Sequence, residues 1–127
     1  MIDRYYYSGC VYSAAKNNPA LSLDWARITD VGLPQPDICV FLAISAENAS
    51  RRGGFGEERY ERREMQERVR ELFQGLGQVE VGNGECWVEV DGGRGMEVVE
   101  AEVLEVVERR CIEVDQRQLP LRFVEAW

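Results

Sequence analysis

The sequence contains no histidine and no C-x-x-C pair, and the two absences exclude much of the chemistry open to small proteins. Without an imidazole there is no Cys-His nucleophile and no obvious pH switch near neutrality. The four cysteines, Cys10, Cys39, Cys86 and Cys111, stand far apart, which argues against a zinc site. Buried, reduced thiols of an intracellular protein are the expectation. No apolar run reaches membrane-spanning length and no signal-peptide pattern is present, so a soluble protein is expected. Positive charge is scarce as well. Lys plus Arg number 15 against 23 Asp plus Glu, a formal net charge of −8. That balance argues against a broad nucleic-acid or anionic-membrane surface, and any anion site has to be local. A chain of 127 residues fits one domain with its own core, provided its elements are complete.

What cationic character there is gathers in Arg51 to Arg70, RRGGFGEERYERREMQERVR. Gly53, Gly54 and Gly56 leave little side chain to pack and allow positive φ. Arg51 and Arg52 precede them, and Arg59, Arg62 and Arg63 follow. Guanidinium forks around a glycine hinge suit a cover over an anionic ligand, here about 51–60. The same residues also fit an exposed loop leading into a solvated helix.

Met1-Ile2-Asp3-Arg4 reads as the tail of a strand. Cys10, Val11, Ala14 and Ala15 give a short helical face that ends at Asn17-Asn18-Pro19. Leu21 to Arg27 is a second short helix with Ser22 as N-cap and with Leu23 and Trp25 available for packing. Gly32-Leu33-Pro34-Gln35-Pro36-Asp37 is a stiff connector. Ile38 to Ile44 is a continuous apolar run, the pattern of a strand covered on both faces in a parallel α/β sheet. Ser45 stands as N-cap of a helix over Ala46 to Arg52. Met65, Val69, Leu72, Phe73 and Leu76 form one helical stripe, with Gly75 and Gly77 as its stop. Gly82-Asn83-Gly84 marks a turn before a second strand, Cys86 to Val90, in which Glu89 fits a buried run badly. Asp91 to Gly95 is a loop at that strand's carboxyl end, where ligands bind in open α/β sheets. Met96, Val99, Val103, Val106 and Val107 begin a last helix. The tail, 111–127, shows little periodicity, with Leu119, Leu121, Phe123, Val124 and Trp127 as anchors.

Asp3-Arg4-Tyr5 with Ser8-Gly9, Ser22-Leu23-Asp24-Trp25, Asp30-Val31-Gly32-Leu33-Pro34 with Pro36-Asp37, and Arg52-Gly53-Gly54-Phe55-Gly56 with Glu58-Arg59-Tyr60-Glu61 occur in one order and spacing. Together they resemble the thymidylate kinases of the eukaryotic type, over nearly the whole chain, and the Leu121 to Trp127 ending resembles fungal members. The resemblance implies an α/β fold of the P-loop nucleoside monophosphate kinase type, a parallel sheet flanked by helices, here the carboxy-terminal part of the domain. It implies transfer of the γ-phosphoryl group of ATP to dTMP, giving dTDP, with Mg2+. Asp3 would order the magnesium-bound water or the acceptor phosphate, and Arg4 would hold the dTMP phosphate; without the family, the pair reads as a structural ion pair. Ser8, Gly9 and Tyr12 would line the nucleoside pocket, or serve as ordinary helix-start packing. Tyr60 would approach the deoxyribose, Arg52 would reach over ATP from the lid, and Arg94, Gly95 and Met96 would meet the adenine side. Gly95 departs from the capping residue usual at its position, which loosens the helix start. A homodimer and a cytoplasmic location, with the nucleus also open, are implied too.

The sequence also departs from the family. No G-x-x-x-x-G-K-[ST] occurs, so nothing in it cradles the β- and γ-phosphates. In the family the strand before that loop lies between the strand ending at Asp3 and Ile38 to Ile44. Without it the sheet is incomplete, with exposed edges and apolar faces. A non-catalytic fragment or pseudoenzyme acting as an association module is therefore the alternative function. The purified 127-residue chain is predicted to be poorly stable as a monomer and not to phosphorylate dTMP at a useful rate. Cooperative melting together with ATP-dependent turnover of dTMP would overturn that prediction.

Overall fold

The computed structural model describes residues 1–16, 18–45, 47–48, 59–82 and 87–125, with the backbone alone at 59–63 and 81–82. Its elements run α1 (Tyr6–Ala15), α2 (Leu23–Ile28), β1 (Cys39–Ala43), α3 (Arg59–Gly82), β2 (Trp87–Asp91) and α4 (Met96–Arg117). They divide into two compact units. One comprises Met1–Gln35, Glu57–Gln78 and Leu121–Trp127, the other Pro36–Gly56 and Val79–Pro120.

In the first unit α1 buries Tyr6, Tyr7, Cys10, Val11 and Ala15, one face of the helix. Tyr6 is packed between its neighbours, edge-on to Tyr5 at 5.0 Å and tilted against Tyr7 at 4.1 Å. Beyond the Lys16 cap, Asn18 turns the chain by accepting the Ala20 amide on its side chain at 3.0 Å. The capping of α2 is as the sequence predicts, Ser22 Oγ accepting the Trp25 amide at 3.1 Å. Its inward face is not. Ala26 and Arg27 are buried, whereas Trp25 stays 48% exposed. The physical reason is that α2 packs on α1 and the Arg27 guanidinium lies over the Tyr6 ring, 5.9 Å from its centre. A cation on a ring face can be buried where an unpartnered one cannot.

The predicted strand tail at Met1 to Arg4 is a bend instead. Two apolar residues hold a strand only by pairing, and among the described residues nothing pairs with them. The connector after α2 does pair. Gly32, with φ 88, donates its amide to Val124 O at 2.9 Å, Val124 N donates to Leu33 O at 2.8 Å and Gln35 N to Arg122 O at 2.8 Å. Pro34, which has no N–H, sits opposite Phe123 in this short antiparallel ribbon. Val124 is buried, while Leu121 and Phe123 remain exposed.

On α3, Val69 and Leu76 are buried and Met65, Leu72 and Phe73 half-buried, so the predicted stripe is real. Arg68 ties this helix to α1 by donating to Ala15 O at 2.9 Å. The predicted stop at Gly75 and Gly77 does not occur, since α3 runs on to Gly82. An interior glycine costs only about 1 kcal/mol relative to alanine, and burial of the Leu76 side chain between the two glycines outweighs it.

The second unit is built on parallel pairing of β1 with β2, in the register Cys39↔Trp87 to Ala43↔Asp91. Phe41 and Trp87 share one face with ring centres 5.7 Å apart. Glu89 is exposed on that face, which resolves its poor fit in an apolar run, and Val90 on the other face is fully buried. The two-sided cover predicted for Ile38 to Ile44 is not observed: none of these residues is buried, and Leu42 is 51% exposed. Among the described residues β1 has β2 as its sole strand neighbour. Cys86, Asn83 and Gly84 lie outside the described residues.

Helix α4 packs on β2 and extends to Arg117, well into the stretch predicted to lack periodicity. Its stripe continues through Val106, Arg110 and Val114, with a charged residue standing at an apolar position. Arg110 donates to Glu113 at 2.6 Å and to Asp37 O at 3.0 Å, and Arg117 pairs with Glu113 at 2.9 Å. The hydrogen bond from Arg110 comes first in holding the Glu113 carboxyl below the usual range. Gln118 ends the helix in the left-handed conformation, φ 48.

A methyl group at Gly75 would meet nothing within 4 Å, and its φ is not positive. Gly75→Ala is expected to raise stability by about 0.5–1 kcal/mol, read as a higher urea midpoint with unchanged slope. A lower midpoint would mean that α3 does not continue through this residue.

Candidate functional site

Asp3 and Arg4 stand exposed just ahead of α1. Arg4 has φ 58, a left-handed backbone that is uncommon for a residue with a side chain. From there its guanidinium reaches over the Tyr12 ring, 5.7 Å from the centre. Ser8, half-buried, and Gly9, exposed, lie on the same helix between them in sequence, Ser8 donating its amide to Tyr5 O at 3.0 Å in the first turn. The first unit thus carries Arg4 and Tyr12 in contact and Ser8 and Gly9 on the helix that joins them.

Behind this end of α1 an open groove of about 250 Å³ runs between α1 and α2, with Gly9, Cys10, Trp25 and Asp30 among its walls. The Cys10 thiol donates to Asp30 Oδ2 at 2.9 Å. Burial, with the hydrogen bond to Asp30 and that residue's negative charge, pushes the thiol up to about 12 against the opposing effect of Arg27. Cys39, in the second unit, is likewise pushed up to about 12, by burial and then by Glu80, which is itself fully buried. Sequence reasoning found neither Asp30 as a thiol partner nor the burial of Glu80 and Arg27. Asp30 carried a signal in lying between a capped helix and the turn at Gly32; Glu80 carried one only in falling four residues after Leu76 on the α3 stripe.

In the second unit the carboxyl ends of β1 and β2 meet. Gly92 N donates to Ala43 O at 2.7 Å, extending the ladder beyond the strands. Gly93 donates to Asp91 Oδ1 at 2.8 Å, and a side chain there would come within 2.8 Å of Asn48 Nδ2. Ser45 Oγ accepts the Asn48 amide at 3.2 Å, the predicted N-cap; residues 47–48 are helical, and 46 and 49–52 lie outside the described residues. Arg94 pairs with Glu102 and donates to Asp91 O at 3.2 Å. Gly95 caps α4 through its carbonyl alone, accepting the Val98 and Val99 amides at 3.1 Å each, and Met96 is exposed. Those are the ordinary first bonds of the helix, and no side chain caps it at Gly95. Arg52, the glycine cover and the side chain of Tyr60 lie outside the described residues. Among the described residues no group of three or more His, Cys, Asp or Glu can hold a metal ion, and no helix is long and apolar enough to cross a membrane.

A parallel β-pair joined through a long helix, with an N-cap and a glycine loop at its carboxyl edge, is an α/β arrangement of the kind that binds ligands at that edge. Comparison with solved structures narrows the class: thymidylate kinase from Candida albicans matches with a TM-score of 0.68 at 29% identity, over 97% of this chain and 60% of that one. This is the P-loop nucleoside monophosphate kinase fold. A family model described as thymidylate kinase matches residues 1–103, and the chain belongs to the thymidylate kinase family. It is 40% identical over 103 residues to the human thymidylate kinase, covering 81% of this chain and 46% of the relative. The Arabidopsis thaliana relative is 39% identical over 103 residues, covering 81% and 36%. That of Schizosaccharomyces pombe is 38% identical over 105 residues, covering 83% and 49%. The chain therefore spans half or less of the length of these relatives.

Cys10 is buried and Cys39 half-buried, and their raised pKa bears on their reactivity, because the thiolate is the nucleophile. Iodoacetamide at neutral pH is expected to modify the exposed Cys111 first, and Cys10 and Cys39 only on unfolding. Peptide mapping by mass spectrometry tests this; early labelling of Cys10 would mean that its bond to Asp30 is not held in solution.

Proposed function

We propose that this chain forms part of a dTMP kinase that transfers the γ-phosphoryl group of ATP to dTMP, and that its first thirty-five residues supply the acceptor side. The single observation that carries this reading is the match of residues 1–103, a stretch that includes Asp3, Arg4 and Tyr12, to the thymidylate kinase family model. An exposed guanidinium in front of a helix, in a chain of net charge −8, is the kind of local cation that a phosphate monoester needs.

In the transfer, a phosphate oxygen of dTMP forms a bond to the γ-phosphorus as the bond to the β–γ bridging oxygen breaks, and ADP leaves with that electron pair. Little covalent work falls to the protein, so positioning and charge decide the rate. Arg4 holds the acceptor phosphate. Ser8, Gly9 and Tyr12 bound the nucleoside and Tyr60 meets the deoxyribose. Arg52 reaches over ATP, and Arg94, Gly95 and Met96 serve the adenine side, chiefly through backbone groups because Arg94 is engaged by Glu102. Mg2+ supplies charge neutralisation on the ATP phosphates. Asp3, an exposed single carboxylate, fits an ion that keeps most of its waters and takes its other ligands from substrate. The protein acts as a homodimer in the cytoplasm, with the nucleus as a further location.

The test uses the protein that carries these residues, isolated from its source. It is expected to convert dTMP and ATP to dTDP and ADP in a Mg2+-dependent assay. Arg4→Ala is expected to raise the KM for dTMP about tenfold or more, as loss of a charge-assisted phosphate contact should. Absence of dTDP formation overturns the reading.

A further inference from the structure

The left-handed backbone at Arg4 calls for a reason. A side-chain-bearing residue at φ 58 is disfavoured relative to glycine, and such conformations persist where the surroundings over-determine them. Nothing in the packing accounts for it, because Arg4 is exposed and lies outside the helix. What the conformation does achieve is to bring the guanidinium over the Tyr12 ring at 5.7 Å. Among the described residues no carboxylate pairs with that guanidinium.

We infer that Tyr12 is a positioning residue for Arg4: its ring face and the left-handed backbone at Arg4 together aim the guanidinium at the phosphate of a nucleoside monophosphate. This rests on the reading of Arg4 as the phosphate ligand and goes beyond it, since it gives Tyr12 a task directed at a side chain in addition to bounding the nucleoside. The chemistry favours a ring for that task. A ring attracts a cation through its quadrupole and asks for no hydrogen bond, so the N–H donors of Arg4 stay available for phosphate oxygens. A carboxylate in the same place would consume the donors and neutralise the charge. The hydroxyl of Tyr12 has no part in this. The strain at Arg4 is then retained because a relaxed backbone would swing the guanidinium off the ring.

The test compares affinities for dTMP and thymidine, whose ratio isolates the phosphate contribution and cancels any contact of Tyr12 with the nucleoside. Tyr12→Leu is expected to lower that ratio roughly two- to five-fold, the scale of an exposed cation–ring contact. Tyr12→Phe keeps it. Arg4→Gly collapses the ratio without lowering the thermal midpoint, because glycine accepts the left-handed conformation. Adding Tyr12→Leu to Arg4→Gly changes the ratio no further. A ratio that falls in Arg4→Gly but not in Tyr12→Leu overturns the inference and leaves Arg4 as the phosphate ligand. A ratio untouched by Arg4→Gly overturns both, as does a failure to bind dTMP. An independent readout needs no ligand and no Leu variant: the Arg4 Hε resonance of the chain should show an upfield ring-current shift in the wild type and in Tyr12→Phe. A random-coil value in the wild type overturns the inference.

Discussion

Parallel pairing of β1 with β2 is the constraint from which much else follows. Parallel strands cannot be closed by a tight turn, so the chain must leave the carboxyl end of β1 and return to the amino end of β2 over a long connection. Helix α3 occupies that connection, and its 24 residues are a consequence of the pairing as much as of local helix propensity. The same constraint sets both carboxyl ends side by side. There Gly92 bonds to Ala43 O and Gly93 approaches Asn48 closely enough that only glycine fits without a shift.

Charge is distributed by a second constraint. In a chain with 23 acidic residues, most described arginines for which contacts are given are committed to structure. Arg27 is buried over Tyr6, Arg68 holds the end of α1, Arg94 pairs with Glu102, and Arg110 and Arg117 grip Glu113. Arg4 differs in kind, with an exposed guanidinium held by a ring and not by an anion. A net negative charge of this size repels polyanions generally, so any anion site on the chain has to be local.

Much of this was legible in the residues. Ser22 capped its helix, Val69 and Leu76 turned inward from the α3 stripe, and the apolar run before Ser45 became a parallel strand. Each rests on a local rule, a cap or a period, that needs few partners. The misreadings share a different character. Gly75 and Gly77 carry a local signal to stop, and burial of Leu76 between them overrode it. Arg110 and Glu113 concealed the last turns of α4, because two charges that satisfy each other occupy positions a pattern reader assigns to apolar residues. Of the candidate site, Arg4 and Tyr12 were singled out by the family resemblance, but their contact was not, since a backbone dihedral of reversed sign leaves no trace in the identity of an arginine.

By itself the sequence determined the kind of elements, their order, the excess of negative charge and the motifs that mark the family, because these depend on periodicity, capping and residue identity along the chain. Only the tertiary structure decided which edge of β1 is paired, that Arg27 and Glu80 are buried, and that Cys10 meets Asp30. These depend on residues distant in sequence coming within a few ångströms, where desolvation and pairing energies outweigh local preference.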